Sequence, residues 1–433
     1  MKISISGVRG IYGQDLDLHK ISRLASQFAC IMKSDKCIVA RDTRPSSMVI
    51  ARVATAGLMA AGIDVYNIGI APTPAAFREA RQYGAGIMVT ASHNPLEWNG
   101  LKFIIDGRGL FAAELQDMLE TTKDHQGKFG DEFYLSSRYA DMVAEMTRSN
   151  TMVKVGIDVA GGAACGYAEH IFKKLGHQYY SINGVPGVSS RGPDPTTDNL
   201  TDLRTIVTSN NLDHGFGLDL DADRVVVVNN KGEKLNPDAT LLLCIARAIE
   251  IGLRRFVTSI DTSVAIEKYI RNQRCRVVAH SKVGEANVVN KMLQVNAEAG
   301  GEGSSAGFIM PKINMCRDGL LAAATISTLE KTTIDECLEL MSEFTQIRSK
   351  IMADSSLHNT VIEKLPEIFK NESSSITTED GVKVIIDENS WVLIRPSNTE
   401  HAIRISVESK ADKAHTIYKQ ASKKVQAVYD QIR

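Results

Sequence analysis

The stretch GFGLDLDADRVVVV (215–228) is the most informative part of the chain, because it places an acidic motif directly before an apolar strand. Asp219, Asp221 and Asp223 stand at every second position of this motif. In a straight strand the first and the last of them would lie about 13 Å apart, which is too far to share one cation. Since Mg²⁺ takes oxygen ligands at about 2.0–2.1 Å, the carboxylates can hold one ion only if the segment curls into a loop, which the small Ala222 and the polar context permit. We predict such a magnesium site, and a solvated acidic turn is the alternative.

On either side of this motif, short β-branched runs alternate with longer helical patterns, which is typical of α/β units. One arrangement occurs three times: a strand, an aspartate, small residues and then a helix. The aspartates of the three units are Asp42, Asp158 and Asp261. Each unit is followed by a polar loop, and these loops surround Ser92, Asp219 and Glu302. The repetition predicts three similar α/β domains, each of which offers one loop.

The C-terminal part of the chain has a different character. The predicted boundaries of the three α/β domains are 1–145, 151–250 and 251–350. After a linker near 353–360, KVIID (383–387) and WVLIRPSNTEHAIRISVES (391–409) have the composition of paired strands. The last segment presents an apolar helix face made of Ile417, Ala421, Val425, Val428 and Ile432. We therefore predict a smaller α+β domain over residues 355–433.

The composition limits the partners of the protein. Lys and Arg number 50 and Asp and Glu number 51, so the formal net charge is −1. A protein with this charge balance has no overall electrostatic attraction for nucleic acid or for an anionic membrane. Any phosphate must therefore be bound by a local pocket. The seven cysteines are odd in number and lack a C-x-x-C spacing, which argues against a disulfide framework and a structural zinc site. Because MKISISGVRG (1–10) has no apolar signal-peptide core, we expect a cytoplasmic protein.

A second loop, IMVTASHNPLEWNGLKF (87–103), presents a serine. A β-rich run leads to Ser92, and the Asn-Pro pair at 94–95 predicts a turn directly after it. This puts the hydroxyl at the end of a strand, where α/β sheets place their reactive groups. A serine hydroxyl is a poor nucleophile unless its charge is stabilised, which a metal held by the aspartate loop could do. A plain polar turn is the alternative, and the G-x-S-x-G elbow of a Ser-His-Asp hydrolase is missing.

Two further loops have the composition of binding sites. AEAGGEGSSAGF (297–308) concentrates glycines around Glu302 and Ser304, and these side chains can exchange hydrogen bonds with sugar hydroxyls. RPSNTE (395–400), with Arg404 on the strand beyond, offers two guanidinium groups, two hydroxyls and turn amides as a phosphate clamp. A Gly-Ser-rich surface loop is the alternative for the first, and the second lacks the G-x-x-x-x-G-K motif of a nucleotide P-loop.

These four loops follow one another in the order serine, tri-aspartate, Gly-Glu-x-Ser and Arg-x-Ser-x-Thr, and this ordered set resembles the α-D-phosphohexomutase family. The resemblance covers essentially the whole chain. It implies an α/β fold with three similar domains of mixed sheets and a smaller C-terminal α+β domain around a central cleft. It assigns the phosphoserine, the metal, the sugar and the phosphate to the four domains in turn. It also implies Mg²⁺ as cofactor and small sugar phosphates as ligands, and it leaves open whether the protein is a monomer or a homodimer.

The resemblance further implies a role for individual residues. The catalytic residues are Ser92, Lys102, Arg9 and Arg224. The metal ligands are Ser92, through its phosphate, Asp219, Asp221 and Asp223. The substrate-binding residues are His93, Lys282, Glu302, Ser304, Arg395, Ser397, Asn398, Thr399 and Arg404. Lys102 is the candidate for proton transfer, with Lys282 as a second choice, and Arg41 is expected to support the phosphoserine together with Arg224.

In this family, the phosphoserine gives its phosphoryl group to a sugar hydroxyl, and the resulting 1,6-bisphosphate returns the other phosphate to the serine. Two positions depart from the pattern. Ala306 stands where bacterial members commonly have a histidine, so the proton-transfer role of that histidine cannot be assigned, and His401 replaces the proline of the phosphate loop. The serine loop (87–103) and the glycine-rich loop around Glu302 (297–308), called the sugar loop below, are most similar to those of archaeal-type phosphoglucosamine mutases. We therefore favour glucosamine phosphate as the substrate.

Other functions remain open at this point. Mannose or glucose phosphate is the alternative substrate, because the sugars differ at C2 by one small group. A non-catalytic sugar-phosphate sensor with the same fold is a second possibility, and the presence of Ser92 with all three aspartates argues against it. A metal phosphatase that releases phosphate to water is a third.

Overall fold

The computed structural model describes residues 1–121, 127–397, 401–410 and 413–433. Its strands form four separate sheets along the chain. The first three sheets are mixed and carry helices, and the fourth is antiparallel. This confirms the predicted fold class of three similar α/β units followed by a smaller α+β unit.

The first unit contains eight strands and four helices. The strands are β1 (Lys2–Ser4), β2 (Gly7–Ile11), β3 (Lys36–Arg41), β4 (Asp64–Ile70), β5 (Ala85–Val89), β6 (Trp98–Ile105), β7 (Arg108–Gly109) and β8 (Glu132–Tyr134). The helices are α1 (Leu18–Ile31), α2 (Ser47–Ala60), α3 (Thr73–Tyr83) and α4 (Ala112–Glu120). The sheet order is β1-β2-β6-β5-β3-β4-β8, with β7 paired to β6. An apolar core that includes Phe28, Leu58 and Ile87 separates α1 and α2 from the sheet.

The second unit is a four-stranded sheet in the order β10-β9-β11-β12. Its strands are β9 (Lys154–Asp158), β10 (Gln178–Ile182), β11 (His214–Leu218) and β12 (Val225–Asn229). Its helices are α5 (Tyr139–Met146), α6 (Tyr167–Lys174) and α7 (Thr201–Ser209). The strands β10, β9 and β11 are parallel, and β12 returns antiparallel to β11.

The third unit repeats this order as β14-β13-β15-β16. Its strands are β13 (Arg255–Ser259), β14 (Arg276–Ser281), β15 (Ala299–Glu302) and β16 (Gly307–Ile309). The helices that surround it are α8 (Pro237–Glu250), α9 (Val264–Asn272), α10 (Glu285–Val295), α11 (Gly319–Ile326) and α12 (Lys331–Ser342). Helix α8 is buried over most of its length and packs against α9, α11 and α12.

The repeat predicted from the three aspartates is visible in these sheets. The strands β4-β3-β5-β6, β10-β9-β11-β12 and β14-β13-β15-β16 share one order and one pattern of directions. Asp42 follows the central strand β3, Asp158 ends β9, and Asp261 follows β13. In every unit the polar loop connects the third strand of this series to the antiparallel fourth. The three loops are therefore structurally equivalent, and each begins at the carboxyl end of a parallel strand, where α/β sheets bind ligands.

The fourth unit is an antiparallel sheet in the order β17-β21-β20-β19-β18. Its strands are β17 (Phe344–Met352), β18 (Ser375–Thr377), β19 (Val382–Asp387), β20 (Ser390–Pro396) and β21 (Ala402–Lys410), and its helices are α13 (His358–Phe369) and α14 (Ala414–Ile432). Both helices pack on the sheet over a core that includes Val361, Ile405 and Val425. The predicted domain boundaries stay a prediction. Within the described residues, no helix combines the length and the apolarity that a membrane span requires.

Candidate active site

The aspartate loop forms a tight turn between β11 and β12. The amide of Ala222 donates to the carbonyl of Asp219 (3.1 Å), and the amide of Arg224 donates to the carboxylate of the same residue (3.1 Å). Ala222 adopts a positive φ of 58°, which lets the backbone reverse at this small residue. The turn brings Asp219, Asp221 and Asp223 together, so that one carboxylate oxygen from each lies within 4.8 Å of the others. All three side chains are fully buried.

The aspartate cluster has the donor set of a divalent cation that prefers oxygen ligands. Among the residues that the structure describes, Oδ1 of Asp221 and Oδ1 of Asp223 have no hydrogen-bond partner and are buried, and such atoms are costly unless a cation binds them. Burial, together with the charges of Asp221 and Asp223, raises the pKa of Asp219 well above its ordinary value. Three crowded carboxylates therefore repel one another, and a cation would relieve that repulsion. The residues fit a metal ion with carboxylate ligands.

Ser92 lies against this cluster. Its side chain is fully buried, and its hydroxyl donates to Oδ2 of Asp219 at 3.0 Å. The residue has a positive φ of 52°, and its amide donates to the hydroxyl of Thr90 at 2.8 Å. His93 follows, with Nδ1 3.4 Å from the serine hydroxyl. Burial and the charge of Arg224 lower the pKa of His93 to about 3. The imidazole is therefore neutral, and it is not a proton donor at neutral pH.

The serine loop is held by Arg44, which the sequence analysis did not identify. The side chain is 2% exposed, and its Nε pairs with Asp42 at 3.0 Å. Its terminal nitrogens donate to the carbonyls of Ser92, Asn94, Pro95 and Trp98. Arg41, which was expected to support the phosphoserine, donates to the carbonyl of Asp42 at 3.2 Å, and its role stays a prediction. Both arginines belong to the pattern R-D-T-R (41–44), and the buried Asp42 pairs with the second of them, Arg44.

Lys102 contacts two of the three clustered aspartates. Its ammonium lies 2.8 Å from Oδ2 of Asp221 and 2.8 Å from Oδ2 of Asp223. Burial alone would lower the pKa of Lys102, but the two carboxylates outweigh it and raise that pKa well above its ordinary value. Lys102 is therefore a buried ammonium next to the serine loop. Thr73 also contacts Asp221, because its hydroxyl donates to Oδ2 at 2.5 Å and its amide to the carbonyl.

The structure also places the predicted Arg9 and Arg224 at this centre. Arg9 donates to the side-chain oxygen of Asn94 at 2.8 Å and to the carbonyl of Ala91 at 3.3 Å. Burial lowers the pKa of Arg9, and the charges of the neighbouring aspartates oppose this effect. Nε of Arg224 lies 3.8 Å from Oδ1 of Asp223. Both guanidinium groups add positive charge beside a cluster of carboxylates.

Arg317 is a second residue that the sequence analysis missed. Its guanidinium group lies 3.0 Å from Asp223, 3.4 Å from Glu302 and 3.2 Å from Glu285. Burial would raise the pKa of Asp223, but the charges of Arg317 and Lys102 hold it well below its ordinary value. In the sequence Arg317 lies in C-R-D-G (316–319), directly before a helical pattern. A lone arginine at such a position is usually exposed, so the pattern alone does not indicate a site residue. The residue connects the aspartate loop to the sugar loop.

The predicted sugar loop lies on the other side of Arg317. Glu302 is buried, and its Oε1 accepts a hydrogen bond from the amide of Gly284 at 2.6 Å. Burial raises the pKa of Glu302. Ser304 is half-buried in the turn Gly303–Ser305, and Lys282 is exposed two residues before Gly284. The neighbouring Ala306 stands where bacterial members of the resembled family commonly have a histidine. It has a positive φ of 52° and is the residue at which this loop turns.

The predicted phosphate clamp lies in the fourth sheet. Arg395 on β20 and Arg404 on β21 are directly opposite each other, and Lys350 on β17 is opposite Arg404. Three cationic residues therefore form one row across three strands, and directly opposed like charges favour a bound anion. Ser397 is buried beside this row, and its amide donates to the carbonyl of Ala402. Two further predicted clamp residues, Asn398 and Thr399, lie outside the described residues.

Comparison with known proteins agrees with this arrangement. The chain matches the sequence models of all four domains of phosphoglucomutase/phosphomannomutase. The α/β/α domains I, II and III match residues 1–129, 137–232 and 236–347, and the C-terminal domain matches residues 348–421. A phosphoglucosamine mutase of Methanococcus vannielii is 30% identical over an alignment of 435 positions, which covers 94% of this chain and 95% of the relative.

Two solved structures have a similar fold. A phosphoglucomutase/phosphomannomutase family protein from Burkholderia thailandensis has a TM-score of 0.84 at 23% identity, covering 99% of this chain and 98% of the other. The N-acetylphosphoglucosamine mutase of Aspergillus fumigatus, in complex with GlcNAc-6P and magnesium, has a TM-score of 0.57 at 12% identity, covering 92% of this chain and 82% of the other. The four matched domains and the full-length relative show that the chain belongs to the phosphoglucomutase/phosphomannomutase family, as the order of its loops indicates.

Proposed function

We propose that this chain is a magnesium-dependent phosphosugar mutase that interconverts the 6-phosphate and the 1-phosphate of glucosamine through a phosphoserine at Ser92. One observation carries the proposal: the hydroxyl of Ser92 is buried and hydrogen-bonded to Asp219 of the three-aspartate cluster. A solvated acidic turn would expose these groups. A buried serine beside three carboxylates has instead the composition of a phosphoryl-transfer site.

Asp219, Asp221 and Asp223 are the residues that would hold Mg²⁺. The ion would neutralise charge on the phosphoryl group during its transfer. Magnesium is favoured over softer metals because the cluster offers carboxylate oxygens and no thiol or imidazole. The magnesium in the Aspergillus fumigatus protein of similar fold supports this choice.

The protein's own residues supply the remaining chemistry. In the first transfer the bond between phosphorus and the seryl oxygen breaks, and a bond between phosphorus and a sugar oxygen forms. The proton lost by the sugar hydroxyl balances the proton taken by the seryl oxygen, so the cycle consumes none. We assign the transfer of that proton to Lys102, and this role requires that cation binding by Asp221 and Asp223 lower the pKa of the lysine, which these carboxylates raise in the metal-free protein. Arg9 and Arg224 stabilise the negative charge of the phosphoryl group.

Arg395, Arg404 and Ser397 would bind the phosphate that is not being transferred, and Glu302 and Ser304 would bind sugar hydroxyls. His93 and Lys282 complete the proposed set of substrate contacts, together with Asn398 and Thr399. The clamp and the serine belong to different domains, so a sugar bisphosphate can present either phosphate to either site. This separation is what an exchange between positions 1 and 6 requires.

Glucosamine phosphate is the preferred substrate because the relative from Methanococcus vannielii, which covers nearly the whole chain, is a phosphoglucosamine mutase. Mannose and glucose phosphates are the second choice, since the matched domain models describe phosphoglucomutases and phosphomannomutases. The two possibilities differ only in the group at C2 of the sugar.

The test combines mass spectrometry with coupled assays. Purified protein is incubated with Mg²⁺ and glucose 1,6-bisphosphate, and the peptide that contains Ser92 is examined for a phosphate. Glucosamine, mannose and glucose 6-phosphates are then compared as substrates, with release of free phosphate measured in parallel. We expect a phosphorylated Ser92, isomerised sugar phosphate and little free phosphate, with glucosamine phosphate the best substrate.

The control variants are Ser92→Ala and Ser342→Ala. Ser342 is exposed and bonds only locally to the carbonyl of Glu339 at the end of α12. We expect Ser92→Ala to lose at least about a thousandfold in rate, because the nucleophile is removed, and Ser342→Ala to match the parent. Isomerisation at the parent rate by folded Ser92→Ala protein would contradict the proposal.

A further inference from the structure

Asp380 lies where the C-terminal sheet meets the third α/β unit. Its Oδ2 is 3.1 Å from Nε of Arg395, and the same oxygen accepts a hydrogen bond from the amide of Val283 at 2.9 Å. Both members of the ion pair are 17% exposed, so solvent screens it less than a surface pair. We propose that Asp380 is a positioning residue of the phosphate site: it orients Arg395 and ties the clamp to the loop that contains Val283. This inference rests on the proposed function of Arg395 as a phosphate ligand.

The backbone fixes the place of Asp380. The next residue, Gly381, has a positive φ of 79°, and a Cβ atom there would lie 2.2 Å from the carbonyl oxygen of Ile394. The turn before β19 is thus pressed against β20 immediately beside Arg395. Asp380 therefore approaches the guanidinium group from a defined direction, and it cannot move away without displacing this turn.

The charge of the neighbourhood explains why an orienting carboxylate is useful. Arg395 and Arg404 face each other across two strands, and Lys350 extends the same row. Opposed cations repel, and long flexible side chains lose entropy when a ligand fixes them. Within the described residues, Nε of Arg395 is buried without a hydrogen-bond partner, so the carboxylate of Asp380, 3.1 Å away, holds the guanidinium group by charge. The ion pair thus restricts the positions that the guanidinium group can take and leaves its terminal nitrogens for a phosphate.

A continuous polar path leads from this ion pair to the metal site. Val283 is followed by Gly284, whose amide donates to Glu302 at 2.6 Å. Glu302 lies 3.4 Å from Arg317, which lies 3.0 Å from Asp223. The clamp, the sugar loop and the aspartate loop are therefore joined by direct contacts, and Asp380 is the link that crosses into the C-terminal unit. Its loss should affect phosphate binding more than the chemistry at Ser92.

The test compares Asp380→Asn with Glu379→Gln. The first substitution keeps an oxygen for the amide of Val283 but removes the charge that faces Arg395. The second removes an equal charge from the adjacent residue, which is exposed. We expect Asp380→Asn to raise the KM for the sugar monophosphate about tenfold with kcat within about threefold of the parent. The phosphate content of Ser92 should not change, and Glu379→Gln should match the parent.

A double-mutant cycle with Arg395→Gln separates orientation from a structural effect. If Asp380 acts through Arg395, Asp380→Asn adds little once the guanidinium group is gone. Independent, additive effects would overturn the proposal, and so would an unchanged or lowered KM in Asp380→Asn. Asp380→Glu, which keeps the charge, should recover part of the loss, and it carries the test if the Asn variant does not fold.

Calorimetric binding of glucose 1,6-bisphosphate distinguishes failure of this inference from failure of the proposed function. An active parent whose Asp380→Asn variant binds the bisphosphate equally well would refute the role of Asp380 alone. A parent that isomerises none of the sugar phosphates would refute the mutase function. In that case weaker binding by Asp380→Asn than by Glu379→Gln would still support the role of Asp380, and equal binding would refute it.

Discussion

The hydroxyl oxygen of Ser92 lies 3.0 Å from Oδ2 of Asp219, although 127 positions separate the two residues in the chain. Each residue occupies the loop between the third and the fourth strand of its own α/β unit. The two loops are equivalent positions of two repeated units, and they contact each other where the units pack. Thr73 at the start of α3 strengthens this junction, since its amide and its hydroxyl both donate to Asp221. The active centre therefore depends on how two domains sit against each other.

Replacing Asp219 should abolish the response to magnesium without lowering the stability of the metal-free protein. Burial and two neighbouring carboxylates raise the pKa of Asp219, so its charge is unfavourable in the metal-free protein. We expect Asp219→Asn, measured in a chelator, to unfold at the same temperature as the parent or higher. Saturating Mg²⁺ should raise the unfolding temperature of the parent by roughly 2–5 °C and should leave the variant unchanged.

The matched control for this experiment is Asp335→Asn, because Asp335 is exposed and pairs with Lys331 on the surface of α12. That variant should keep the full response to Mg²⁺. An equal magnesium-dependent shift in Asp219→Asn and in the parent would show that Asp219 is not a ligand.

Arg44 should be essential for the serine loop, whereas Arg41 should not. Lysine has three donors on one nitrogen and cannot reach the carbonyls of Ser92 and Trp98 while it also pairs with Asp42. We expect Arg44→Lys to cost about 3 kcal/mol in free energy of unfolding and to lower the mutase rate at least tenfold. Arg41→Lys should cost less than about 1 kcal/mol. Urea unfolding and initial rates measure both effects, and equal losses in the two variants would contradict the assignment.

The sequence predicts the parts of this molecule that are encoded locally. The three aspartates, the serine turn and the repeat of strand and aspartate are contiguous patterns, and they were enough to predict the fold class. They also predict where the loops lie, because the carboxyl ends of parallel strands share one edge of a sheet. The aspartate segment turns at Ala222, a small residue that permits the loop required for a shared cation.

Other site residues could not be found in this way because their burial depends on distant partners. Arg317 pairs with Asp223, Glu302 and Glu285, which belong to the aspartate loop, the end of β15 and the start of α10. In the sequence alone the residue has the same appearance as an exposed arginine. Arg44 and Arg41 differ in role because Asp42 is buried, and burial follows from the packing of the whole unit. Side-chain contacts of this kind are set by tertiary structure, on which a local pattern gives no information.

Arg317 should be needed for both stability and catalysis. Arg317→Met removes the cation that Asp223, Glu285 and Glu302 share, although Asp223 keeps Lys102 as a partner. Breaking buried ion pairs of this kind costs about 3–5 kcal/mol. We expect a clear loss in free energy of unfolding and a fall in kcat, because the aspartate loop and the sugar loop lose their common partner. The free energy of unfolding and the kcat of Arg317→Lys should lie between those of the parent and of Arg317→Met. Lysine keeps the positive charge but lacks the planar guanidinium group that contacts several carboxylates at once.

The control for Arg317 is Arg271→Met, which removes a guanidinium group whose side chain is 79% exposed. That variant should match the parent in unfolding and in rate. Full activity in Arg317→Met would show that the loops keep their relative position without the guanidinium group.

Glu408 should make the contact between the third and fourth units depend on pH. The carboxylate is fully buried and accepts hydrogen bonds from the amide of Val264 (2.7 Å), from Nε1 of Trp391 (2.8 Å) and from the hydroxyl of Ser263. Burial raises the pKa of Glu408 to about 7, and the charge of Asp238 adds to this effect. A carboxyl group with a raised pKa in the folded protein contributes stability that is full below its unfolded pKa and is lost as the pH rises through about 7.

Glu408→Gln removes this titration while keeping an uncharged group of the same shape. We expect the free energy of unfolding of the parent, relative to Glu408→Gln, to fall by roughly 3 kcal/mol between pH 4.5 and pH 8. Trp391, which bonds to Glu408, provides a fluorescence signal at the interface itself. The exposed Glu388→Gln variant serves as control and should follow the parent across the range. Parallel profiles for the parent and Glu408→Gln would show that Glu408 does not cause the pH dependence. The half-buried Lys383, whose pKa burial lowers, would then be the next residue to replace.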